Sequence, residues 1–271
     1  MILPQCEIEE NFSFATPKRK VTKEKGVSPR DENITFSTRA TARPVRSVLF
    51  SSQYKIYQQS LEILFVSGGK APNADWFRKV ANERKIFAID KGIEICKACE
   101  VVPNILIGDF DSAENSAVEW ARAKNIPVEK YPADKDLTDT QLAMNRAAEI
   151  FGEHVAILTG CFGGRFDHLY SNIFTCAAID RKIFLVDERE IIFYLRGGES
   201  STIKFFKKPL AVSLLPISSI CAGVTTKNLH WELDGATLTQ NFPNATSNRA
   251  DSDKISVGVE RGTLAIYFCF E

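Results

Sequence analysis

The residues best suited to chemistry are two aspartates in the string GDFDS, at residues 108–112, directly after an apolar run. In an extended chain alternate side chains share a face, so Asp109 and Asp111 would point the same way and Phe110 back into the core. Two adjacent carboxylates repel each other, and a hard divalent cation such as Mg²⁺ removes that repulsion by binding both. The string predicts a Mg²⁺ site serving phosphate chemistry.

A second acidic motif, Asp136-Leu137-Thr138-Asp139, stands at a predicted helix start. Thr138 and Gln141 have the spacing of a capping box, which places Asp139 in the first helical turn. The positive end of a helix stabilises a carboxylate there, and acids are common at helix starts for that reason alone. Because the motif follows GDFDS in an α/β pattern, we predict that Asp139 is a third metal ligand, with Asp136 beside it or on a bound water.

A glycine-rich loop and the helix start after it form a third motif, spelled GCFGGRFDH. Gly163 and Gly164 have no Cβ, so the backbone can approach a phosphate chain closely. Arg165 offers a planar fork of donors suited to phosphate oxygens, and Asp167 and His168 open the helix. The alternative for His168 is an ordinary helix-start histidine with a structural hydrogen bond. The loop is not a Walker A loop, because no Gly-Lys-Ser/Thr follows.

Two smaller features end the first two strands of the same pattern. Ser67-Gly68-Gly69 follows the first strand and Asp90 follows the second. Both are predicted to face one crevice, although each is equally explained by turn chemistry.

The elements that must position these motifs form two regions with different patterns. From residue 60 to Val186 apolar strands alternate with helices, which predicts a mostly parallel sheet wound on both sides, with ligands beyond the carboxyl ends of its strands. After Asp187 short strands follow one another without a helix, which predicts an antiparallel sandwich or barrel. The predicted strands of this second region are 191–195, 201–206, 211–215, 229–233, 254–259 and 263–268.

The predicted fold class is therefore α/β, with a mostly parallel, doubly wound N-terminal sheet domain followed by a C-terminal antiparallel β-sandwich domain. The expected divisions are a polar basic tail over 1–58, an α/β domain over 59–187 and a β domain over 188–271. The tail carries ten Lys or Arg against six Asp or Glu and has no sustained periodicity. It is read as poorly ordered, with a transit segment or a start codon placed too far upstream as open alternatives.

Composition narrows the class of protein. The 271 residues are 44% hydrophobic and 25% charged, which is typical of globular chains. The net charge is zero and the body after the tail is acidic, which argues against a nucleic-acid surface. No apolar run approaches the ~20 residues that span a bilayer, so we expect no membrane partner. Seven scattered cysteines indicate reduced, buried thiols and a cytoplasmic location, and the pair Cys96 and Cys99 reads as two small apolar helix residues.

Taken together and in this order, the three motifs resemble those of the thiamine pyrophosphokinase family. A Ser-Asn pair late in the β domain, Ser247-Asn248, adds a fourth point of similarity, and the resemblance covers residues 60–271. It implies an α/β domain that binds ATP and Mg²⁺, a C-terminal β-sandwich, and a homodimer with thiamine in a cleft between subunits. The implied reaction transfers the diphosphoryl group of ATP to the hydroxyl of thiamine and releases AMP.

The resemblance also implies roles for residues. Metal ligands would be Asp109, Asp111 and Asp139. Further catalytic candidates are Arg165, Asp167 and His168. ATP contacts would come from Ser67, Gly68, Gly69, Asp90, Asp136, Gly163, Gly164 and Arg165. Thiamine contacts would come from Ser247 and Asn248, whereas Trp231 is read chiefly as a core strand residue and only secondarily as aromatic packing near the substrate.

Two positions depart from the family pattern, and several rival functions stay open. Lys91 stands where the family has glycine after its second strand, and Arg249 where bacterial members often have an acid.

The main rival function is diphosphoryl transfer to another small alcohol, such as a hydroxymethylpterin. A Mg²⁺ phosphohydrolase lacks its D-x-D-x-[TV] string here, a sugar transferase would need a nucleotide-sugar donor, and a nucleotide sensor would release no AMP.

Overall fold

A computed structural model describes residues 3–12 and 61–271. The helices of this part are α1 (Ala74–Ala81), α2 (Gly92–Ala98), α3 (Asn115–Ala123), α4 (Asp139–Phe151) and α5 (Phe166–Ala178). Its strands are β1 (Cys6–Phe12), β2 (Glu62–Val66), β3 (Lys85–Ile89), β4 (Ile105–Gly108), β5 (Val128–Lys130), β6 (Val155–Thr159), β7 (Ile183–Val186), β8 (Glu190–Arg196), β9 (Glu199–Phe205), β10 (Ala211–Pro216), β11 (Ile220–Lys227), β12 (Ala236–Thr239), β13 (Lys254–Gly258) and β14 (Thr263–Cys269). None of these helices has the length and apolar character needed to cross a membrane.

The first region is a parallel sheet with strand order β5-β4-β3-β2-β6-β7 and helices on both faces. Residues alternate between two cores along each strand, so Leu64 and Val66 face one core while Ile63 and Phe65 face the other. Helices α1, α2 and α3 contribute to the first core, and α4 and α5 to the second. The helices on both faces confirm the doubly wound α/β prediction. That prediction depended on continuous apolar runs in the sequence, which are typical of strands that are buried on both faces.

The strand order reverses beside β2. From β2 the chain passes outward through β3, β4 and β5, then returns to β6 on the other side of β2. Open α/β sheets bind ligands at such a point, beyond the carboxyl ends of the strands. The loops that follow β2 and β6 are the Ser67 loop and the glycine-rich loop singled out above.

The antiparallel region is joined to the parallel sheet rather than set apart from it. Strand β8 pairs with β7, and β14 and β10 follow, so that one nine-stranded sheet runs through both regions. The five-stranded sheet β1-β9-β13-β11-β12 shares a core with these strands, to which Ile203 and Val257 contribute from one sheet and Leu264 and Phe268 from the other. The predicted boundary at 187 coincides with the turn between β7 and β8, and the division into domains stays a prediction.

Two details of the second region differ from the sequence prediction. The predicted strand over 229–233 is wrong, because side chains accept from two of its backbone N–H groups: Asn248 Oδ1 accepts from the Trp231 N–H, and the Thr226 hydroxyl from the Leu233 N–H. Strands β11 and β12 were not predicted. Their pairing shifts register between Cys221 and Val224, which breaks the alternation that reveals a strand.

The prediction of a poorly ordered tail over 1–58 is wrong for its first residues. Strand β1 pairs antiparallel with β9 along its whole length, and Leu3, Cys6 and Ile8 are buried in the core. The short alternation around Glu7 was hidden in a polar stretch, and its partner strand lies nearly two hundred residues away in sequence. The rest of the predicted tail, 13–58, lies outside the described residues.

A buried carboxylate at the turn between β7 and β8 predicts a pH dependence of stability. Burial raises the pKa of Asp187 from 3.8 to about 6, although its Oδ1 accepts hydrogen bonds from the N–H groups of Arg189 and Glu190. A carboxyl whose pKa is raised by folding favours the folded state at low pH, and that contribution is lost as the pH rises through about 6.

We therefore expect Asp187→Asn to reduce the gain in stability on going from pH 7 to pH 5 by about 1 kcal/mol, because asparagine keeps the acceptor and does not titrate. Urea unfolding of both proteins at the two pH values measures this difference. An identical gain in the two proteins would contradict the assignment to Asp187.

Candidate functional site

A cavity of about 960 Å³ opens at the carboxyl edge of the parallel sheet, beside the point where the strand order reverses. Twelve of the residues singled out from the sequence line it: Ser67, Gly68, Gly69, Asp90, Asp109, Asp136, Asp139, Gly163, Gly164, Arg165, Asp167 and His168. Asp111 is exposed at its rim, and Ser247 and Asn248 are not part of its wall. Five segments distant in sequence thus meet in one place.

In the wall of this cavity, backbone hydrogen bonds join the Ser67 loop after β2 to the glycine-rich loop after β6. The Gly69 N–H donates to the Gly160 oxygen at 2.7 Å, and the Lys70 N–H donates to the Phe162 oxygen at 3.1 Å. A Cβ on Gly69 would lie 2.6 Å from the Gly160 oxygen, and one on Gly160, whose φ is +63°, would lie 2.3 Å from the Ser67 oxygen. Glycine is therefore required at both positions for the loops to approach this closely.

The GDFDS string forms a tight turn rather than the extended segment expected. Strand β4 ends at Gly108, and Phe110 has a left-handed φ of +63°. The Asp111 N–H donates to Asp109 Oδ1 at 3.2 Å, which closes the turn. Phe110 still packs on the core, and the two carboxylates still meet, so the predicted juxtaposition arises by a different backbone path.

Asp90, Asp109 and Asp111 bring carboxylate oxygens within 4.8 Å of one another. Asp90 accepts hydrogen bonds from the Phe110 N–H at 3.1 Å and from the Ser112 hydroxyl, which ties the end of β3 to the turn after β4. The negative charge of Asp109 raises the pKa of the Asp111 carboxyl. Partial burial opposes ionisation of Asp109, but its hydrogen bonds from Lys135 and Asp111 hold its pKa below the ordinary value.

Asp139 stands at the start of α4, as predicted. The capping box is confirmed, with the Gln141 N–H donating to the Thr138 hydroxyl and the Gln141 side chain accepting from the Thr138 N–H. Burial raises the pKa of Asp139. Its closest cation is Lys135, whose Nζ lies 3.2 Å from Asp139 Oδ1 and 3.0 Å from Asp109 Oδ2.

The donors gathered here fit a hard divalent cation. Three carboxylates share one cluster, and a fourth, that of Asp139, has a buried Oδ1 with no hydrogen-bond partner among the described atoms. The Lys135 contact to this oxygen is an ion pair without hydrogen-bond geometry. Carboxylate oxygens of this kind are the ligands that Mg²⁺ takes in phosphate-handling sites.

Arg165 and Asp167 form an exposed ion pair on the opposite wall. The Arg165 guanidinium donates to both carboxylate oxygens of Asp167, at 3.1 and 2.5 Å, and Asp167 Oδ1 also accepts from the His168 N–H. The hydrogen bond from Arg165 lowers the pKa of Asp167. An exposed pair of this type contributes little to stability and exchanges readily with an incoming anion.

Ser247 and Asn248 lie in the antiparallel region, where Asn248 builds a loop. Its Oδ1 accepts from the Trp231 N–H at 3.1 Å, and its Nδ2 donates to the Trp231 oxygen at 2.8 Å. The interpretation of Trp231 as a core residue is wrong, since 59% of it is exposed. Arg249 lies over its ring at 5.9 Å, and the His230 ring meets it edge-on at 4.7 Å.

Several polar residues of the cavity wall were not predicted from the sequence. Among them are Lys70, Lys135 and the buried Asn172. Lys135 precedes Asp139 by four residues, but it lies outside α4, so the spacing rule for charge pairs within a helix gave no signal for it. Lys70 and Asn172 had none either, since their place follows only from the packing of neighbouring loops and helices.

Family models match both regions. One described as "Thiamin pyrophosphokinase, catalytic domain" matches residues 77–185, and one described as "Thiamin pyrophosphokinase, vitamin B1 binding domain" matches residues 201–264. The curated thiamine pyrophosphokinase of Bacillus subtilis is 26% identical over 179 residues, covering 65% of this chain and 83% of the relative.

Solved structures show the same fold. The crystal structure of the Bacillus subtilis thiamine pyrophosphokinase superposes with a TM-score of 0.68 at 23% identity, covering 78% of this chain and 99% of the other. The yeast enzyme gives a TM-score of 0.68 at 14% identity, covering 79% and 88%. At such identities these superpositions establish the shared architecture.

Proposed function

Because two models of one family together match more than half of the chain, the protein belongs to the thiamine pyrophosphokinase family, and we propose that it makes thiamine diphosphate. In this reaction the thiamine hydroxyl attacks the β-phosphorus of ATP, a new O–P bond forms, the bond to the α-phosphate oxygen breaks, and AMP leaves. The observation that carries the proposal is the meeting of the acidic, glycine-rich and Arg165 motifs in one cavity.

We propose Mg²⁺ as the metal, held by Asp109, Asp111 and Asp139, with Asp90 fixing the turn from behind. A bound divalent ion neutralises phosphate charge and favours displacement at phosphorus. The support is the donor set, which consists of oxygen atoms alone. These aspartates follow the end of a strand or begin a helix, so the packing of these elements fixes the distances between the carboxylates.

The opposite wall is suited to the triphosphate. Glycine-rich backbone after β2 and β6 allows phosphate oxygens to come close to main-chain N–H groups. Arg165 is exposed, and we propose that it leaves Asp167 to stabilise the charge that develops near the β-phosphorus. Asp136, Asp167 or His168 would then orient the hydroxyl and receive its proton, and positioning rather than strong basicity supplies most of the rate.

Thiamine recognition is proposed for the loop that Asn248 builds. The exposed Trp231 indole offers an aromatic face for the aminopyrimidine ring, with Ser247 beside Asn248 as a polar contact. None of these residues belongs to the cavity wall of its own chain. We therefore propose a homodimer in which the antiparallel region of one copy closes the cavity of the other.

An exposed aromatic ridge supports this arrangement. Phe166, Tyr170 and the half-buried Phe174 follow one another at successive turns of α5, with tilted rings whose centroids lie 6.0 and 4.7 Å apart, and Phe166 is 75% exposed. The same helix lines the cavity through His168 and Ser171. A ridge of this kind beside a ligand site is typical of an interface, and we assign a second copy of this chain to it.

All seven cysteines are free thiols. Because thiols stay reduced in the cytoplasm, this supports our proposal that the protein acts there.

Purified protein mixed with ATP, Mg²⁺ and thiamine tests the function. We expect thiamine diphosphate and AMP in equal amounts, measured by liquid chromatography, and no AMP when a hydroxymethylpterin replaces thiamine. Formation of ADP in place of AMP, or AMP release with the pterin alone, would contradict the proposal.

Removal of the proposed stacking surface should act on thiamine alone. We expect Trp231→Ala to raise the KM for thiamine about 10-fold, since an aromatic pair contributes on the order of 1 kcal/mol beyond its buried area. The KM for ATP should stay within about 2-fold, because the proposed ATP contacts come from the glycine-rich loops and the acidic residues of the cavity wall and not from the indole. Phe242→Ala, which removes another exposed aromatic side chain of the same region, is the matched control. An unchanged KM for thiamine would exclude Trp231 from the site.

A further inference from the structure

An ammonium group stands between two of the proposed metal ligands. Lys135 Nζ is 3.0 Å from Asp109 Oδ2 and 3.2 Å from Asp139 Oδ1, and it also donates to the Pro132 oxygen at 2.9 Å. The Lys135 side chain is only 14% exposed. These contacts join the turn after β4 to the start of α4, the two segments that must act together on a metal.

The Lys135 ammonium is the cation that compensates these two carboxylates at close range. Without this cation, two partly buried carboxylates would face each other uncompensated, which is costly.

The contact with Asp139 is the weaker of the two. The Lys135 ammonium makes a hydrogen bond to Asp109, whereas Asp139 Oδ1 receives only the ion pair. A buried carboxylate oxygen held in this way is available to a better partner. A divalent cation offers twice the charge and can contact both carboxylates at shorter range.

We propose that Lys135 is a positioning residue that occupies the place of the metal in the free protein and yields it when the metal–nucleotide complex arrives. The proposal rests on the metal site of the proposed function and deepens it. While the cavity is empty, the ammonium neutralises Asp109 and Asp139 and holds them at the spacing they need. When the triphosphate enters, the phosphate oxygens give the displaced ammonium a new partner, so metal and nucleotide bind together.

Two other lysines of the cavity wall show that ion pairs with the proposed metal ligands are particular to Lys135. Lys70 and Lys91 also line the wall, but within the described part of the chain neither side chain has an ion pair with a carboxylate. Lys91 is exposed where Lys135 is not. Lys91→Gln therefore removes the same charge from the same cavity and leaves the carboxylates in their contacts.

Mn²⁺ binding to the nucleotide-free protein tests the proposal. We expect Lys135→Gln to bind Mn²⁺ at least ~10-fold more tightly than the native protein, because the competing charge about 3 Å from two ligands is gone. Lys91→Gln should change the affinity less than about 3-fold, and Lys135→Arg, which keeps the cation, should stay near the native value. The free Mn²⁺ signal in electron paramagnetic resonance gives each dissociation constant.

A double variant shows where the added Mn²⁺ binds. Lys135→Gln combined with Asp109→Asn should return to weak binding, because it lacks a ligand as well as the competitor. Unchanged or weaker binding by Lys135→Gln, in protein whose circular dichroism and unfolding temperature match the native ones, would overturn the proposal. So would equal tightening in Lys91→Gln.

The readout separates this proposal from the proposed function. Mn²⁺ titration needs neither ATP nor thiamine, so failure to form thiamine diphosphate would remove the function and leave the lysine result standing. Conversely, if the native protein forms thiamine diphosphate but Lys135→Gln binds Mn²⁺ no more tightly than the native protein does, the proposed function stands and the proposed role of Lys135 is wrong.

Discussion

Replacement of Asp111 by asparagine is expected to lower the turnover number at least about 100-fold, with little change in folding stability. Asp111 is exposed, so its carboxylate contributes little to packing, yet it belongs to the acidic cluster at the end of β4. The charge of Asp109 raises the pKa of Asp111, a sign that the pair is held together against repulsion. Loss of one charge removes both the repulsion and the ligand that the metal needs.

A coupled assay of AMP release measures the effect, with thermal unfolding as the check on fold. Asp234→Asn is the matched control, since Asp234 is an exposed aspartate of the antiparallel region outside the cavity wall. It should retain native turnover. Near-native turnover in Asp111→Asn would show that the acidic cluster does not hold a catalytic metal.

Co-expression of two defective copies is expected to restore activity. If the cavity of one copy is closed by Trp231 of the other, a mixed dimer of Asp111→Asn with Trp231→Ala contains one native site and one site carrying both changes. Random pairing makes half of the dimers mixed, so at low thiamine the preparation should reach about one quarter of native activity. The average of the two variants measured separately should be several-fold lower.

Two different affinity tags isolate the mixed dimer, and light scattering gives its mass. A dimer without restored activity would place both sets of residues in the same copy. A monomer that retains full activity would leave the aromatic ridge of α5 without its proposed partner.

The sequence predicted the structure correctly where a local residue pattern is typical of a single structural element. Thr138 with Gln141 predicted the cap of α4, and the helix begins at Asp139 as expected. Continuous apolar runs predicted the parallel strands because both faces of these strands are buried. The alternation of strands and helices then placed the motifs at one edge of the sheet, although the strand order itself came only from the structure.

Where the sequence failed, contacts distant along the chain decided the outcome. The pairing of β1 with β9 depends on a strand nearly two hundred residues away, and its polar outer face resembled a tail. The loop at 229–233 looked like a strand, but the Asn248 and Thr226 side chains accept from its Trp231 and Leu233 N–H groups. The GDFDS turn depends on the left-handed Phe110, which is a rare conformation that residue type does not predict.

The sequence also grouped the acidic residues differently from the structure. Asp109 and Asp111 were expected to share a metal with Asp139, and Asp90 to contact the nucleotide. In the structure Asp90 joins the first two in one cluster, and Lys135 links Asp109 to Asp139. The role of each residue therefore stays a prediction.

A crystal structure with Mn²⁺ and α,β-methylene-ATP, whose scissile position cannot break, tests the central claim most directly. We predict an anomalous peak within coordination distance of Asp109, Asp111 and Asp139, with phosphate oxygens completing the shell and Lys135 turned toward the triphosphate. Mn²⁺ bound to the phosphates with these three carboxylates remote from it would contradict the account.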